Sequence, residues 1–201
     1  MYNIGAVILA AGTSTRMGKP KLLLPYKSMP IVTYPLIQAI QNDLQPIMCV
    51  TGRYDELITN ALLSWKQKLT IQYNPQFESG MSTSLRQGIE FMKGKVDAVI
   101  IFLGDQPLVP NEVVQRMIQQ YITTKKDGIK IIRPVYNGQI GHPVLFDSSL
   151  FHAFDNIKGD EGGKTIIQQN AEYLKYLHFP NNDWGVDIDT PEDYATLLKK
   201  E

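Results

Sequence analysis

Ala98-Val99-Ile100-Ile101-Phe102-Leu103-Gly104-Asp105-Gln106-Pro107 is the stretch that decides the fold. Its first six residues are apolar without interruption. A half-solvated strand would alternate, so this one is covered on both faces, as the central strands of a parallel sheet are. Residues 6–10 and 46–50 are of the same kind. Helical spacing fills the intervals. Leu36, Ile37 and Ile40 share one face, as do Leu57, Ile58 and Leu62, and residues 111–122 carry Val113, Val114, Met117, Ile118 and Tyr121. Strands alternating with helices of this length make βαβ units with right-handed crossovers. Shorter strands are expected at 69–73, 130–135, 143–146 and 173–179. The expectation is a three-layer, doubly wound, mostly parallel α/β sheet of Rossmann-like type, in one domain spanning residues 1–201.

Composition narrows the function. Lys plus Arg number 20 and so do Asp plus Glu, so no global field draws the chain to nucleic acid or to a membrane surface. Any anion must be held by a local arrangement. Cys49 is the single cysteine and sits in the apolar run Pro46-Ile47-Met48-Cys49-Val50, where it serves as a small core hydrophobe. The start, Met1-Tyr2-Asn3-Ile4-Gly5, has no basic segment ahead of an apolar one, and no apolar run reaches the length of a membrane span. A cytoplasmic location is expected.

In doubly wound sheets ligands lie beyond the carboxyl ends of the strands. Two segments occupy that place. After the first strand come Leu9-Ala10-Ala11-Gly12-Thr13-Ser14-Thr15-Arg16-Met17-Gly18-Lys19-Pro20-Lys21. Small residues let backbone N–H groups approach an anion, and Arg16 and Lys21 supply positive charge. Five residues separate Gly12 from Gly18, and Pro20 follows Lys19, so the loop is not a Walker motif. It also lacks the opening Gly-x-Gly of a dinucleotide fingerprint. After the strand ending at Leu103 comes Asp105, which suits Mg²⁺ held by one or two carboxylates plus substrate phosphates. Near the C-terminus, Thr190, Pro191, Glu192 and Asp193 read as a helix start. That leaves Asp187 and Asp189, whose alternation places both on one strand face, so that one or both complete the metal site.

Taken together, these residues resemble the molybdenum cofactor cytidylyltransferase family, within the wider group of GT-A-like NTP transferases. The resemblance runs in order along nearly the whole chain. Its most specific element is the loop from Leu9 to Lys21. Gly80-Met81-Ser82-Thr83-Ser84-Leu85-Arg86-x-Gly88, Gly104-Asp105-Gln106-Pro107, Gly141-His142-Pro143-Val144-Leu145-Phe146, Gly159-Asp160-Glu161-Gly162-Gly163 and Asp187-Ile188-Asp189-Thr190-Pro191-Glu192-Asp193 complete it. The resemblance implies transfer of CMP from CTP to molybdopterin carrying molybdenum, with Mg²⁺ as cofactor and a molybdoenzyme as eventual recipient. It implies phosphate contacts from Arg16 and Lys21 and metal ligation by Asp105 and Asp189. The nucleotide would be lined by Leu9, Ala10, Ala11, Gly12, Ser14, Gly80, Ser82 and Ser84, and the acceptor met by Gln106 and His142.

The acceptor phosphate is already anionic at pH 7, so attack on the α-phosphorus needs no general base, and the chain carries no evident His–carboxylate or nucleophile–base pair. Catalysis would rest on Arg16, Lys21 and Asp105 through positioning and charge. Transfer of GMP, a sugar or polyol phosphate as acceptor, and a non-catalytic cofactor carrier are the competing readings. His152 and His178 read as ordinary surface or half-buried residues with no metal-ligand spacing, and Trp65 and Trp184 as packing anchors. Ser82-Thr83-Ser84 ahead of Leu85 also suits a plain helix start.

Overall fold

Along the first strand the side chains divide between two apolar clusters. Ile4, Ala6, Ile8 and Ala10 enter one, while Val7 and Leu9 enter the other. That period-two division is what a strand buried on both faces requires. The structure is a computed structural model that describes residues 2–200, so Met1 and Glu201, the two ends of the expected domain, lie outside the described residues.

In chain order the elements are β1 (Ile4–Ala10), β2 (Pro25–Tyr26), β3 (Met29–Pro30), α1 (Thr33–Gln41), β4 (Ile47–Thr51) and α2 (Asp55–Ala61). Then come β5 (Thr70–Tyr73), α3 (Met81–Met92), β6 (Ala98–Leu103), α4 (Asn111–Thr124), β7 (Ile131–Tyr136) and β8 (Gln139–Ile140). The chain ends with β9 (Val144–Asp147), α5 (Lys164–Gln169), β10 (Leu174–Phe179) and α6 (Pro191–Leu198). The main sheet runs β10-β7-β9-β6-β1-β4-β5, with β8 paired to β7. β1 pairs in parallel with both β4 and β6, β4 with β5, and β7 with β10. β9 is antiparallel to both of its neighbours, β6 and β7. The sheet is mostly parallel because that one central strand is reversed. β2 and β3 form a separate hairpin.

One face carries α1, α2, α4 and α6, through Leu36, Ile58, Met117, Tyr121 and Leu197. The other carries α3, a 3₁₀ segment over 148–156, and α5, through Leu85, Ile89, Phe154 and Ile166. Cys49 is fully buried, as its apolar setting implied. Among the described residues no helix is long and apolar enough to cross a membrane.

Two local expectations fail. Leu57 does not share the buried face of Ile58 and Leu62. It is exposed, because α2 is a short outer helix that buries only a narrow stripe. Asp187 and Asp189 do not lie on a strand. The segment ahead of α6 is coil, tethered by one backbone bond from Ile188 N to Asp105 O at 3.1 Å. Ile188 is buried in the core, so an in–out alternation exists there without a ladder.

The α3 layer approaches β1 closely at Gly88. A Cβ there would meet Val7 Cγ1 at 2.5 Å. Ala in a helix interior gains about 1 kcal/mol of propensity over Gly, but forcing atoms into a filled core costs about 1–3 kcal/mol. Val7 is fully buried and has nowhere to move, so overpacking wins. Gly88→Ala is expected to lower the melting temperature by roughly 2–6 °C. An unchanged or raised value in a thermal scan would contradict this packing account.

Candidate active site

Loops leaving β1 and β6 and the coil ahead of α6 close around a cavity of about 430 Å³ at the carboxyl ends of the parallel strands. After β1 the chain turns at Ser14, whose φ of 53° is left-handed and whose carbonyl accepts from Met17 N at 3.2 Å and Gly18 N at 3.1 Å. Ser14 Oγ accepts from Lys21 N at 3.3 Å. Lys21 then opens a single 3₁₀ turn (Lys21–Leu23), and the buried Leu22 anchors it. Gly12 lines the cavity, its φ is not left-handed, and a Cβ would meet no atom within 4 Å. The fold itself does not require glycine at that position, and the open space beside it faces the cavity.

Lys21 Nζ donates to Asp105 Oδ2 at 2.5 Å and to Asp189 Oδ1 at 2.7 Å. Burial alone would lower its pKa. The charges and hydrogen bonds of Asp105 and Asp189 outweigh that and hold the ammonium above its ordinary value. Asp189 also accepts from Arg16 at 2.7 Å. Desolvation would raise the Asp189 pKa, and its bonds to Lys21 and Arg16 bring it below the usual carboxylate range. The position of Asp189 follows from α6. Thr190 caps that helix and Asp193 closes a reciprocal capping box. The same Asp193 carboxylate accepts from Thr190 N at 2.8 Å and from Asp189 N at 3.1 Å. A helix-capping motif therefore fixes the backbone of the residue that faces Lys21.

Asp187 lines the same cavity and accepts from Gln106 Nε2 at 2.8 Å, while Gln106 Nε2 also donates to Gly185 O at 3.1 Å. Although Asp187 as a residue is exposed, its carboxyl is desolvated at the cavity wall. That, followed by the charges of Asp105 and Asp189, pushes it up to about 6. Among the described residues no cluster of three His, Cys, Asp or Glu side chains is arranged to hold a metal by itself.

Across the cavity lies the start of α3. Gly80, at φ 100°, packs so tightly on the Gly159 peptide that a Cβ would come within 2.4 Å of its carbonyl carbon. The first helical N–H groups are capped from a distance: Met81 N donates to Asp160 Oδ1 and Ser82 N to Gly159 O, both at 2.9 Å. Ser82, Thr83 and Ser84 are thus not the helix cap. Asn74, buried at the end of β5, donates instead to Thr83 Oγ1 at 2.8 Å and Ser84 Oγ at 2.9 Å.

A second cavity of about 290 Å³ adjoins the first and shares Leu9, Met81, Leu103 and Asp160 with it. Its walls include Leu85, Ile101, Val144, Phe146 and Ile167, and Arg133 and His142 form part of its polar lining. Burial, then the Arg133 charge, pushes the His142 imidazole down to about 4, so the ring is neutral at pH 7.

Of the residues expected from sequence, Leu9, Ala11, Gly12, Lys21, Gly80, Ser84, Asp105 and Asp189 all line the first cavity. Arg16 stands outside it with 67% of its side chain exposed, joined through Asp189. Ala10 points into the core, Ser14 braces the loop, and Ser82 is wholly buried. Gln106 is buried behind Asp187, and His142 lines the second cavity. Asn74 and Arg133 carry no expectation from sequence, and Asp160 enters there only within the stretch Gly159-Asp160-Glu161-Gly162-Gly163, with no role attached. A polar residue interrupting the apolar run Ile131-Ile132-Arg133-Pro134-Val135 was the one available signal for Arg133.

Asp187 yields a pH prediction. Its folded pKa is raised, so the folded state binds this proton more tightly than the unfolded chain. Stability from the group is fully present below the ordinary carboxylate pKa and is lost as pH rises through about 6. Asp187→Asn keeps the acceptor for Gln106 and removes that loss. The variant should melt above the parent at pH 7.5, with the gap closing toward pH 4. A gap that widens on acidification would refute the assignment.

Residues 6–173 match the family model described as a MobA-like NTP transferase domain. The chain is 27% identical over 200 residues to the molybdenum cofactor cytidylyltransferase of Escherichia coli (strain K12), covering 100% of this chain and 98% of that protein. It is 26% identical over 210 residues to the purine catabolism protein PucB of Bacillus subtilis (strain 168), covering 98% and 97%. The crystal structure of Rv0371c from Mycobacterium tuberculosis H37Rv superposes with a TM-score of 0.82 at 25% identity, covering 98% of each chain. A manganese complex of that same protein gives 0.79 at 24% identity, covering 99% and 100%. With one family model spanning most of the chain and nucleotidyltransferases sharing its fold, the protein belongs to the MobA-like NTP transferase family and is an enzyme of the nucleotidyltransferase type.

Proposed function

We propose that the enzyme transfers CMP from CTP to the phosphate of a molybdopterin-type molybdenum cofactor and releases pyrophosphate. One observation carries this reading: the convergence of Asp105 and Asp189 on the Lys21 ammonium beside an open glycine turn. Two carboxylate oxygens gathered within hydrogen-bond distance of one cationic atom are what a divalent ion needs from the protein when the triphosphate supplies the remaining ligands. The ammonium stands in for that ion, and the donor set therefore fits Mg²⁺. Manganese in the mycobacterial protein of the same fold supports a divalent ion in this fold. The choice of CTP and molybdopterin rests on the full-length similarity to the E. coli cytidylyltransferase.

In this reading Asp105 and Asp189 hold Mg²⁺, which when bound neutralises charge on the triphosphate. Lys21 and Arg16 turn to phosphate oxygens. The small residues Ala11 and Gly12 leave room for the phosphates to approach the main chain. Gly80 and Ser84 face the nucleoside. An oxygen of the acceptor phosphate attacks the α-phosphorus in line. A new P–O bond forms as the bond between the α-phosphorus and its bridging oxygen breaks, and the electron pair leaves with pyrophosphate. No proton need be removed from a phosphate already ionised at pH 7, so the neutral His142 is not required as a base.

Incubating the protein with each NTP in turn, Mg²⁺ and purified molybdenum cofactor, with pyrophosphate as readout, tests the proposal. CTP should give the greatest release. Binding without release would favour a carrier. Asp105→Asn and Lys21→Met should each lower turnover by at least about 10²–10³-fold, the scale of losing one pre-organised electrostatic contact. The Asp105→Asn protein should retain native circular dichroism, because Lys21 keeps Asp189 as partner. Near-normal Mg²⁺-dependent release from either variant would remove the basis for the site.

A further inference from the structure

The second cavity contains a cation that no carboxylate among the described residues answers. Arg133 lies on β7, in register with Ile131 on the sheet face covered by α3 and α5. Its Nε donates to Gly141 O at 3.0 Å, which fixes the plane of the guanidinium. Its two terminal nitrogens have no hydrogen-bond or ion-pair partner among the described residues. The carboxylates on this cavity are engaged elsewhere: Asp160 accepts from Met81 N, and Glu161 accepts from Thr165 Oγ1 at 3.2 Å. Lys164, the remaining charged neighbour, is a second cation. Burial lowers the Arg133 pKa, Tyr176 on the neighbouring β10 offsets this in part, and no carboxylate does so. Arginine nonetheless stays charged in proteins. A half-buried guanidinium among Leu85, Ile101, Val144 and Phe146 thus gives this apolar cavity a fixed positive charge, whose terminal N–H donors meet no acceptor among the described residues and can turn to a ligand's oxygens.

We infer that Arg133 is a specificity-determining residue, whose terminal nitrogens donate to hydrogen-bond acceptors, a carbonyl oxygen foremost, on the end of the acceptor molecule remote from the reacting phosphate. The inference rests on reading the second cavity as the acceptor's seat. The two cavities meet at Leu9, Met81, Leu103 and Asp160, so a molecule reacting in the first extends its body into the second. There the walls are apolar. A polyol chain would find few partners for its hydroxyls and leave them unpaired, a costly arrangement. A flat ring system, with its faces against the apolar walls and a carbonyl oxygen beside a ring nitrogen at its edge, satisfies both the walls and the guanidinium. The planar fork suits two adjacent acceptor atoms at once, which an ammonium does not match.

Wild type, Arg133→Met and Arg133→Lys are to be compared by steady-state kinetics with purified molybdenum cofactor, alongside a fluorescence titration with CTP. Arg133→Met should raise the KM for the cofactor about 10–100-fold, the value of charge-assisted hydrogen bonds. Its kcat should stay within about two-fold of wild type, and its CTP affinity should be unchanged. Arg133→Lys keeps the charge and loses the fork, so its KM falls between the two. An unchanged cofactor KM in Arg133→Met overturns the inference, as does a joint loss of kcat and CTP affinity, which would mark a structural role. If wild type releases no pyrophosphate with any NTP, the transfer reading fails instead. Equilibrium dialysis of the cofactor then tests Arg133 separately: binding at least tenfold weaker in Arg133→Met sustains the inference, and equal binding, or none to wild type, overturns it.

Discussion

One ammonium ties together three regions that are remote in sequence. Lys21 comes from the loop after β1, Asp105 from the end of β6, and Asp189 from the coil ahead of α6. A buried ion pair is a poor source of net stability, because desolvation consumes most of the Coulomb energy. Removing a single partner is costly, since it leaves an uncompensated charge. The arrangement therefore acts more as a registration device than as a source of stability. It keeps two carboxylates close together, against their repulsion, in a cavity where the small residues Ala11, Gly12 and Thr13 follow β1. A chain with no net charge can hold a highly anionic substrate in this way, by a dense local pattern.

The reversed strand explains why a second cavity lies beside the first. β9 enters the sheet from the end where β1, β6 and β7 leave it. The turn that feeds it, Gly141-His142-Pro143, therefore lies at the same edge as Asp105. Tyr136 OH donates to His142 O at 2.7 Å and fixes that turn. The second cavity takes Val144 and Phe146 of β9 as wall and Arg133 from the adjacent strand as a polar feature.

Much of this was legible in the chain itself. The run 98–103 is a strand with those same ends, because six apolar residues bounded by Gly-Asp admit little else. The cap at Thr190 with Pro191 and Asp193 was equally plain, since its chemistry is local. Features that depend on distant partners were not. Ser82-Thr83-Ser84 looks like a cap, yet Asp160 and Gly159 supply that function from 79 residues away in the case of Met81 N. The two-residue strands β2, β3 and β8 are too short to carry a period. Asp187 and Asp189 alternate as strand residues do, but their segment is coil, held to the loop after β6 by the bond from Ile188 N to Asp105 O. Arg133 gave only the faint sign of a cation in an apolar run, and its lack of a partner is visible only in three dimensions.

The separation of 168 residues between Lys21 and Asp189 has a bearing on biosynthesis. A ribosome adding roughly 5–20 residues per second needs on the order of 10–30 s to join them. Throughout that interval the emerging glycine turn and its lysine lack one of their two carboxylate partners. The pairing that gathers both carboxylates on one ammonium is thus completed late, when the segment leading into α6 docks.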